Sequence, residues 1–339
     1  MKKVLITGGA GFIGSNFVQM LACQHDYHIT VVDVLAYAGT LEPLRPLLDE
    51  KRITFLQGDI TERHQISGMI EDCDIIVNFA AHSHVDRSIL DSAPFMRTNA
   101  IGVMNILDTL RALHSDQHFV QVSTDEVYGD APPHRWFTEE DRLRPSNPYA
   151  ASKAAADSMI EAYVRTHGIK ACITRCTNNY GTWQYPEKLV AMCITSMLDG
   201  KKIPIHGDGL MLRDWIHVKD HCNAILSVME SGEPGQIYNV AGLCELSTRR
   251  IVEIIASCFG QAYDDVVETI PDRPGNDRRY AISPGKIMSV LGWRPGPGFE
   301  HHVHDLIGWY RKHESWWRHI MATPHYQLHH ETLRRGMQK

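Results

Sequence analysis

Short apolar runs recur through the first half of the chain at Val4–Thr7, Ile29–Val32, Ile53–Leu56, Ile75–Phe79, Phe119–Ser123 and Ala171–Arg175. Between them lie stretches with helical patterns, notably Asn99–Leu113 and Tyr149–Thr166. Strand alternating with helix predicts a doubly wound α/β fold, a parallel sheet with helices on both faces. The second half is less regular. Pro and Gly punctuate it at Pro204, Gly207, Gly209, Pro234, Gly235, Pro271, Pro274 and Gly275. Short strands at Ile203–Ile205 and Ile237–Val240 alternate there with helices at Leu189–Leu198, Val218–Met229 and Thr248–Cys258. That pattern predicts a smaller mixed α/β lobe, partly interleaved with the first half. The polar, His-rich stretch from Met321 to Lys339 reads as either a docked helix or a frayed tail.

In a parallel sheet, ligands bind outside the carboxyl ends of the strands. The segment after the first strand is Gly8-Gly9-Ala10-Gly11-Phe12-Ile13-Gly14-Ser15. Glycines at 8, 11 and 14 let the backbone turn sharply and approach a pyrophosphate. The helix that follows offers the free N–H groups of its first turn, at Phe12 and Ile13, and its positive dipole end to that anion. Asp33 ends the next strand-like run. A carboxylate there accepts hydrogen bonds from a ribose 2′-OH and repels a 2′-phosphate, so NAD fits better than NADP. These features define a Rossmann-type unit. We expect residues 1–180 to form it, with 206–235 returning to it, 181–320 to form most of a substrate-binding lobe, and 321–339 a C-terminal tail.

Composition sets limits on partners. Hydrophobic residues are 43% of the 339, enough for a substantial core. A net charge of −6 gives no reason to expect nucleic acid or an anionic membrane as partner. No run approaches the roughly 18 apolar residues of a membrane span, and Met1-Lys2-Lys3 leads straight into a strand rather than a signal peptide. The eight cysteines contain no C-x-x-C pair. They read as buried thiols of a cytoplasmic protein rather than disulfides or zinc ligands. The twenty histidines include no H-E-x-x-H, and no metal site is expected.

Two constellations follow strands. Tyr149 and Lys153 form Y-x-x-x-K at the start of a helix, so their side chains share one face. An ammonium near a phenol favours phenolate and makes Tyr149 a usable general base. Thr124-Asp125-Glu126 follows the fifth strand. Thr124 suits a hydrogen bond to a substrate oxygen. Two adjacent carboxyls in a cleft divide acid and base roles if their environments push their pKa values apart. The plainer alternative is an acidic turn that caps a strand.

Together these motifs resemble the extended short-chain dehydrogenase/reductases. Ser83-His84-Val85-Asp86-Arg87-Ser88, Asn178-Asn179-Tyr180-Gly181, Gln184-Tyr185-Pro186-Glu187-Lys188-Leu189, Arg213-Asp214-Trp215 and Pro274-Gly275-Asn276-Asp277-Arg278-Arg279-Tyr280 narrow the likeness to the dTDP-glucose 4,6-dehydratase family, from about Lys2 to Trp317. The resemblance implies tightly held NAD, contacted also at Asp59, Ile60 and Ala80. It implies oxidation at C4 of an NDP-hexose with Tyr149 as base, Lys153 on the ribose, and Thr124 on the C4 oxygen. Glu126 would then take the C5 proton and Asp125 protonate the departing 6-OH. It places substrate contacts at Ser83, His84, Asn178, Lys188, Leu189, Arg213, Asn276 and Arg278, with the two arginines as diphosphate clamps or, alternatively, as surface ion pairs. Helices Asn99–Leu113 and Tyr149–Thr166 resemble the pair that forms a homodimer interface in this superfamily. Three positions depart from the family pattern: His82 stands for Glu, Trp183 lies in an altered Tyr-Gly-Pro-Tyr segment, and Asn276 stands for His. They leave the base and sugar open, with UDP-glucose or UDP-N-acetylglucosamine as other substrates. A nucleotide-sugar 4-epimerase and a non-catalytic NAD-binding regulatory protein are the rival readings.

Overall fold

The computed structural model describes every residue except 25, 115, 273 and 336–339. The last four residues of the sequence-defined tail therefore lie outside the described residues. The strands are β1 (Lys2–Thr7), β2 (Tyr27–Asp33), β3 (Ile53–Gln57), β4 (Ile75–Asn78), β5 (His118–Thr124), β6 (Ala171–Cys176), β7 (Asn178–Tyr180), β8 (Ile203–His206), β9 (Leu212–His217), β10 (Ile237–Val240), β11 (Glu245–Ser247) and β12 (Val267–Ile270). Seven of them form one parallel sheet in the order β10-β6-β5-β4-β1-β2-β3.

Successive residues of β1 and β4 point to opposite faces, and both faces are covered. Val4, Ile6, Ile75 and Val77 pack with Phe17 and Leu21 of helix Phe12–Ala22 and with Ile225 and Val228 of helix Val218–Ser231. Leu5 and Ile76 face the other way. They pack with Ile66 and Ile70 of helix Arg63–Glu71, Ile106 and Leu110 of helix Val103–Leu113, and Ile160 of helix Pro148–His167. Burial on both faces is why these strands read as continuous apolar runs. The strand Ile237–Val240, grouped with the second half by its sequence position, is an edge strand of this sheet.

The helix Pro148–His167 has clear local causes. The Asn147 side chain accepts from the Ala150 N–H at 2.9 Å, Pro148 occupies the first turn, and Gly168 ends the helix at φ +68°. On it, Asp157 receives Arg175 Nε of β6 at 2.8 Å, with both side chains buried, and Arg175 Nη1 donates to Tyr128 Oη at 2.8 Å. A core charge pair thus ties this helix to the sheet. The preceding helical segment differs from expectation. Met96–Gly102 is π-helical, and Val103–Leu113 is α-helical. Within the π segment, Asn99 exchanges hydrogen bonds with the His82 backbone at 2.9 Å and donates to Ser152 at 2.8 Å, and such distortions commonly sit beside functional sites.

A three-stranded sheet, β11-β9-β7, and the parallel pair β12-β8 form the smaller part. Tyr180, Trp215, Ile251, Ile255, Phe299, Tyr310 and Trp317 are buried together there. The C-terminal segment continues as helix Glu314–Met321 and helix Pro324–Arg335. Tyr326 on the latter is only 5% exposed, so this segment is docked. No helix among the described residues is long and apolar enough to cross a membrane.

Candidate active site

The registers align the carboxyl ends of the parallel strands, pairing Thr7 with Val32 and Asn78, and Thr124 with Cys176. The turns leaving those ends enclose a cleft of about 470 Å³. Its walls include Gly8, Gly11, Phe12, Ile13 and Gly14, then Asp33, Asp59, Ile60 and Ala80. They also include Thr124, Asp125, Glu126, Tyr149, Lys153, Asn178, Lys188 and Leu189. The fold brings these sequence-identified residues to one place.

The glycine turn is tightly fitted. Gly8 has φ +70°, and a Cβ there would lie 2.3 Å from the Ala80 nitrogen. A Cβ on Gly14 would lie 2.4 Å from the Gly8 carbonyl oxygen. Gly11, the N-cap of helix Phe12–Ala22, supplies no side-chain cap, which leaves the first-turn N–H groups for a ligand. Asp33 accepts from Ala10 N at 3.0 Å and from Leu35 N at 2.8 Å. The carboxylate therefore fixes both the glycine turn and its own loop, while burial pushes its pKa up. We expect Gly8→Ala to cost about 2–4 kcal/mol from strain and collision. Thermal unfolding of the ligand-free protein measures that loss, and an unchanged midpoint would contradict it.

Thr124 Oγ1 donates to Asp125 Oδ1 at 3.2 Å and accepts from Glu126 N at 3.3 Å. Asp125 is buried, and among the described residues its Oδ2 has no hydrogen-bond partner. Burial first, then the negative Glu126, hold Asp125 well above the usual carboxylate range, against a lowering by Arg213. Glu126 sits in a different setting. It is part-exposed and accepts from Asn147 Nδ2 at 3.1 Å and Tyr280 Oη at 3.4 Å. Adjacent carboxyls thus occupy unequal environments.

Tyr149 and Lys153 are both buried. Burial, then the charge of Glu126, push Tyr149 well above its ordinary value, while Thr124 lowers it by a hydrogen bond. Lys153 Nζ donates to the Val122 carbonyl at 2.7 Å. The helix spacing therefore delivers both groups to the cleft, but in the protein alone the phenol stays protonated. Burial lowers Lys153 from 10.5 to about 8. Between those values the unfolded chain holds the Lys153 proton and the folded chain has released it. Stability from this group accordingly rises with pH across that window, by at most about 1.4 kcal/mol per pH unit. Thermal unfolding of the ligand-free protein at several pH values, compared with a Lys153→Met variant, reads this slope; equal slopes in the two would contradict it.

Of the other anticipated contacts, Ser83 is in the cleft wall, whereas His84, Arg213, Asn276 and Arg278 are not. Ser83 lines the cleft, and its carbonyl accepts from Lys188 Nζ at 2.7 Å. His84 is buried beside Asp86, with Nδ1 and Oδ2 3.7 Å apart. Arg213 is buried, lies 4.1 Å over the Tyr280 ring, and donates to Asn276 Oδ1 at 3.2 Å and the Asp277 carbonyl at 2.9 Å. Arg278 is exposed and paired with Asp208 at 3.3 Å. The three departures separate in space. His82 lines the cleft. Trp183, at φ +66°, packs edge-on against Trp309 and Trp316. Asn276 holds Arg213. Among the described residues no group of three or more His, Cys, Asp or Glu is arranged to hold a metal ion.

Sequence reasoning missed Tyr37, Asn147 and Tyr280. Tyr37 lines the cleft, and the other two hold Glu126. Tyr280 ends the stretch Pro274–Tyr280 that carries the family resemblance, but nothing in that stretch marks it as a partner of Glu126.

A dinucleotide cradle beside a Tyr-x-x-x-Lys helix and a Thr-Asp-Glu turn defines an extended short-chain dehydrogenase/reductase. The sequence model of the GDP-mannose 4,6-dehydratase family matches residues 5–306. A dTDP-glucose 4,6-dehydratase of Streptomyces niveus is 42% identical over 93% of this chain and 94% of its own. The crystal structure of dTDP-glucose 4,6-dehydratase from Bacillus anthracis in complex with NAD is 40% identical, with a TM-score of 0.88 over 94% of this chain and 100% of that one. The UDP-glucose 4-epimerase of Thermus thermophilus, also in complex with NAD, is 30% identical with a TM-score of 0.83, over 91% of this chain and 99% of that one. The chain belongs to the dTDP-glucose 4,6-dehydratase family.

Proposed function

We propose that the protein is an NAD-dependent nucleotide-sugar 4,6-dehydratase, with dTDP-glucose as its substrate. The unequal pair Asp125 and Glu126 carries this reading, because oxidation and re-reduction at C4 alone has no use for a buried proton donor beside a second carboxylate. The cradle fits the cofactor. The Gly8–Gly14 turn with Phe12 and Ile13 would hold the pyrophosphate, Asp33 a ribose, Asp59, Ile60 and Ala80 the flanking surfaces, and Lys153 the second ribose. When bound, NAD supplies the redox chemistry, accepting hydride from C4 and returning it at C6.

The side chains do the proton work. The Tyr149 phenol, protonated in the protein alone, would ionise under the added positive charge of bound NAD⁺; it then takes the 4-OH proton while Thr124 hydrogen-bonds the C4 oxygen. The resulting ketone acidifies C5–H, and Glu126 removes that proton. Asp125, held protonated by burial, delivers its proton to the 6-oxygen, so the C6–O bond breaks and water leaves. Glu126 then returns a proton to C5. The proton gained by Tyr149 balances the one given by Asp125, so the net change is one water lost. Ser83, His84, Asn178, Lys188 and Leu189 would position the sugar and phosphates, with Arg213, Asn276 and Arg278 toward the diphosphate.

Residues 1–180 with 206–235 act mostly as the dinucleotide-binding unit and 181–320 mostly as the substrate lobe, except that the large sheet takes in β10 from the latter and the small sheet takes β7 and β9 from the former. The protein works as a homodimer, paired through the helices Val103–Leu113 and Pro148–His167. It acts in the cytoplasm, where its eight free thiols suit a reducing environment; contrary to the expected burial of all of them, only Cys172, Cys176, Cys193 and Cys222 are buried, and Cys23 is exposed. Mass spectrometry after incubation with dTDP-glucose, UDP-glucose and UDP-N-acetylglucosamine in separate tubes tests the assignment. Loss of one water from dTDP-glucose alone is expected. Unchanged mass with altered C4 stereochemistry would make the protein an epimerase.

A further inference from the structure

The matched family region ends at residue 306, and helix Pro324–Arg335 lies beyond it. This helix packs on the outside of the cleft wall. His325 Nε2 meets Arg87 Nη1 at 2.6 Å, and its ring lies 5.0 Å from that of Tyr37. Tyr326, nearly buried, packs against Tyr185 at 6.5 Å between ring centroids. Behind these contacts the wall is knitted together. The Arg87 guanidinium lies 4.3 Å over the Tyr37 ring and pairs at 2.8 Å with Glu187, whose side chain is 3% exposed. Tyr185 meets Tyr37 edge-on at 5.6 Å, and Tyr37 stacks toward His82 at 6.4 Å. Tyr37, His82, Tyr185 and Glu187 all line the cleft itself.

Two separate chain segments are therefore clamped by one helix. One is the loop after β2, which carries Tyr37 and follows directly on Asp33. The other is the turn 184–188. Both contribute to the cleft wall, and Tyr37 also hydrogen-bonds Glu187, so the helix reinforces a link that the two segments already share. An aromatic pair of this kind adds stabilisation beyond its buried area, and Arg87 over Tyr37 adds a partly desolvated cation–π contact. A ligand enclosed between two such segments leaves only when they separate, so the clamp bears on its exit rate.

We infer that His325 and Tyr326 are positioning residues, through which the C-terminal helix latches the cleft rim and slows release of the dinucleotide. The inference rests on the proposed NAD reading of the cleft. NADH is the probe, followed by energy transfer from tryptophan as it dissociates from the full-length protein. Tyr326→Ala, and separately a chain ending at Thr323, should release NADH at least about tenfold faster, which corresponds to about 1.4 kcal/mol. Tyr326→Phe keeps the ring and should restore the slow release. In turnover with excess NAD, Tyr326→Ala should keep kcat within about twofold, because the reacting groups lie at the end of β5, on the turn that follows it and on helix Pro148–His167. A merely structural role would instead lower the unfolding midpoint and kcat together in every variant. NADH release at the wild-type rate from both Tyr326→Ala and the shortened chain would overturn the latch while leaving the NAD reading intact. Failure of the unaltered protein to bind NADH would overturn both.

Discussion

Tyr149→Phe is expected to lower kcat by about 10³-fold, within the range for loss of a positioned proton acceptor. The ring is buried against Phe95 at 6.4 Å, and the substitution removes only the oxygen, so folding and binding of the sugar nucleotide should persist. The defect belongs to the first step. No 4-keto sugar should form, and no deuterium from solvent should enter C5, since the C5 proton becomes acidic only after C4 is oxidised. Steady-state kinetics with proton NMR of the recovered sugar reads both. Retention of more than a tenth of wild-type kcat would move the base elsewhere.

Glu126→Gln is expected to fail one step later. Its loss should fall within about 10²- to 10⁴-fold, with oxidation at C4 preserved. Reduced nicotinamide should then build up on the enzyme with one added equivalent of sugar nucleotide, and the recovered, undehydrated sugar should lack solvent deuterium at C5. Asn147 and Tyr280, which both donate to Glu126, can donate equally well to the amide oxygen, so local packing is retained. An equal loss without reduced nicotinamide would place Glu126 in the oxidation step instead.

The central sheet was legible because parallel strands buried on both faces must be apolar along their whole length. The short strands β7, β9 and β11 were not. Asn178–Tyr180 and Glu245–Ser247 carry no apolar run of their own, and they are extended because β9 lies between them. The π-helical Met96–Gly102 was also hidden. Its sequence reads as ordinary helix, and its distorted stretch contains the long-range pairing of Asn99 with His82 and Ser152. In the site, Gly8, Gly11, Gly14, Tyr149 and Lys153 announced themselves because backbone geometry or helix spacing constrains them locally. The partners that shape Glu126 come from residues 147 and 280, and no pattern in the chain links positions so far apart. The expectation that Lys153 would draw Tyr149 toward phenolate rested on spacing alone. Spacing brings two side chains to one face but leaves open which acceptor the ammonium chooses, and here it is the Val122 carbonyl.

Arg213 stands on β9, in the small sheet, whereas Asp125 stands at the end of β5, in the large one. The positive charge of the first offsets part of what enclosure does to the second. The same strand also carries Asp214, whose negative charge raises what Arg213 lowers. The small sheet thus reaches the acid of the large one with two opposed charges rather than a lone cation. What keeps the proton on Asp125 is left to enclosure and to its neighbour Glu126, both properties of the large sheet's own edge.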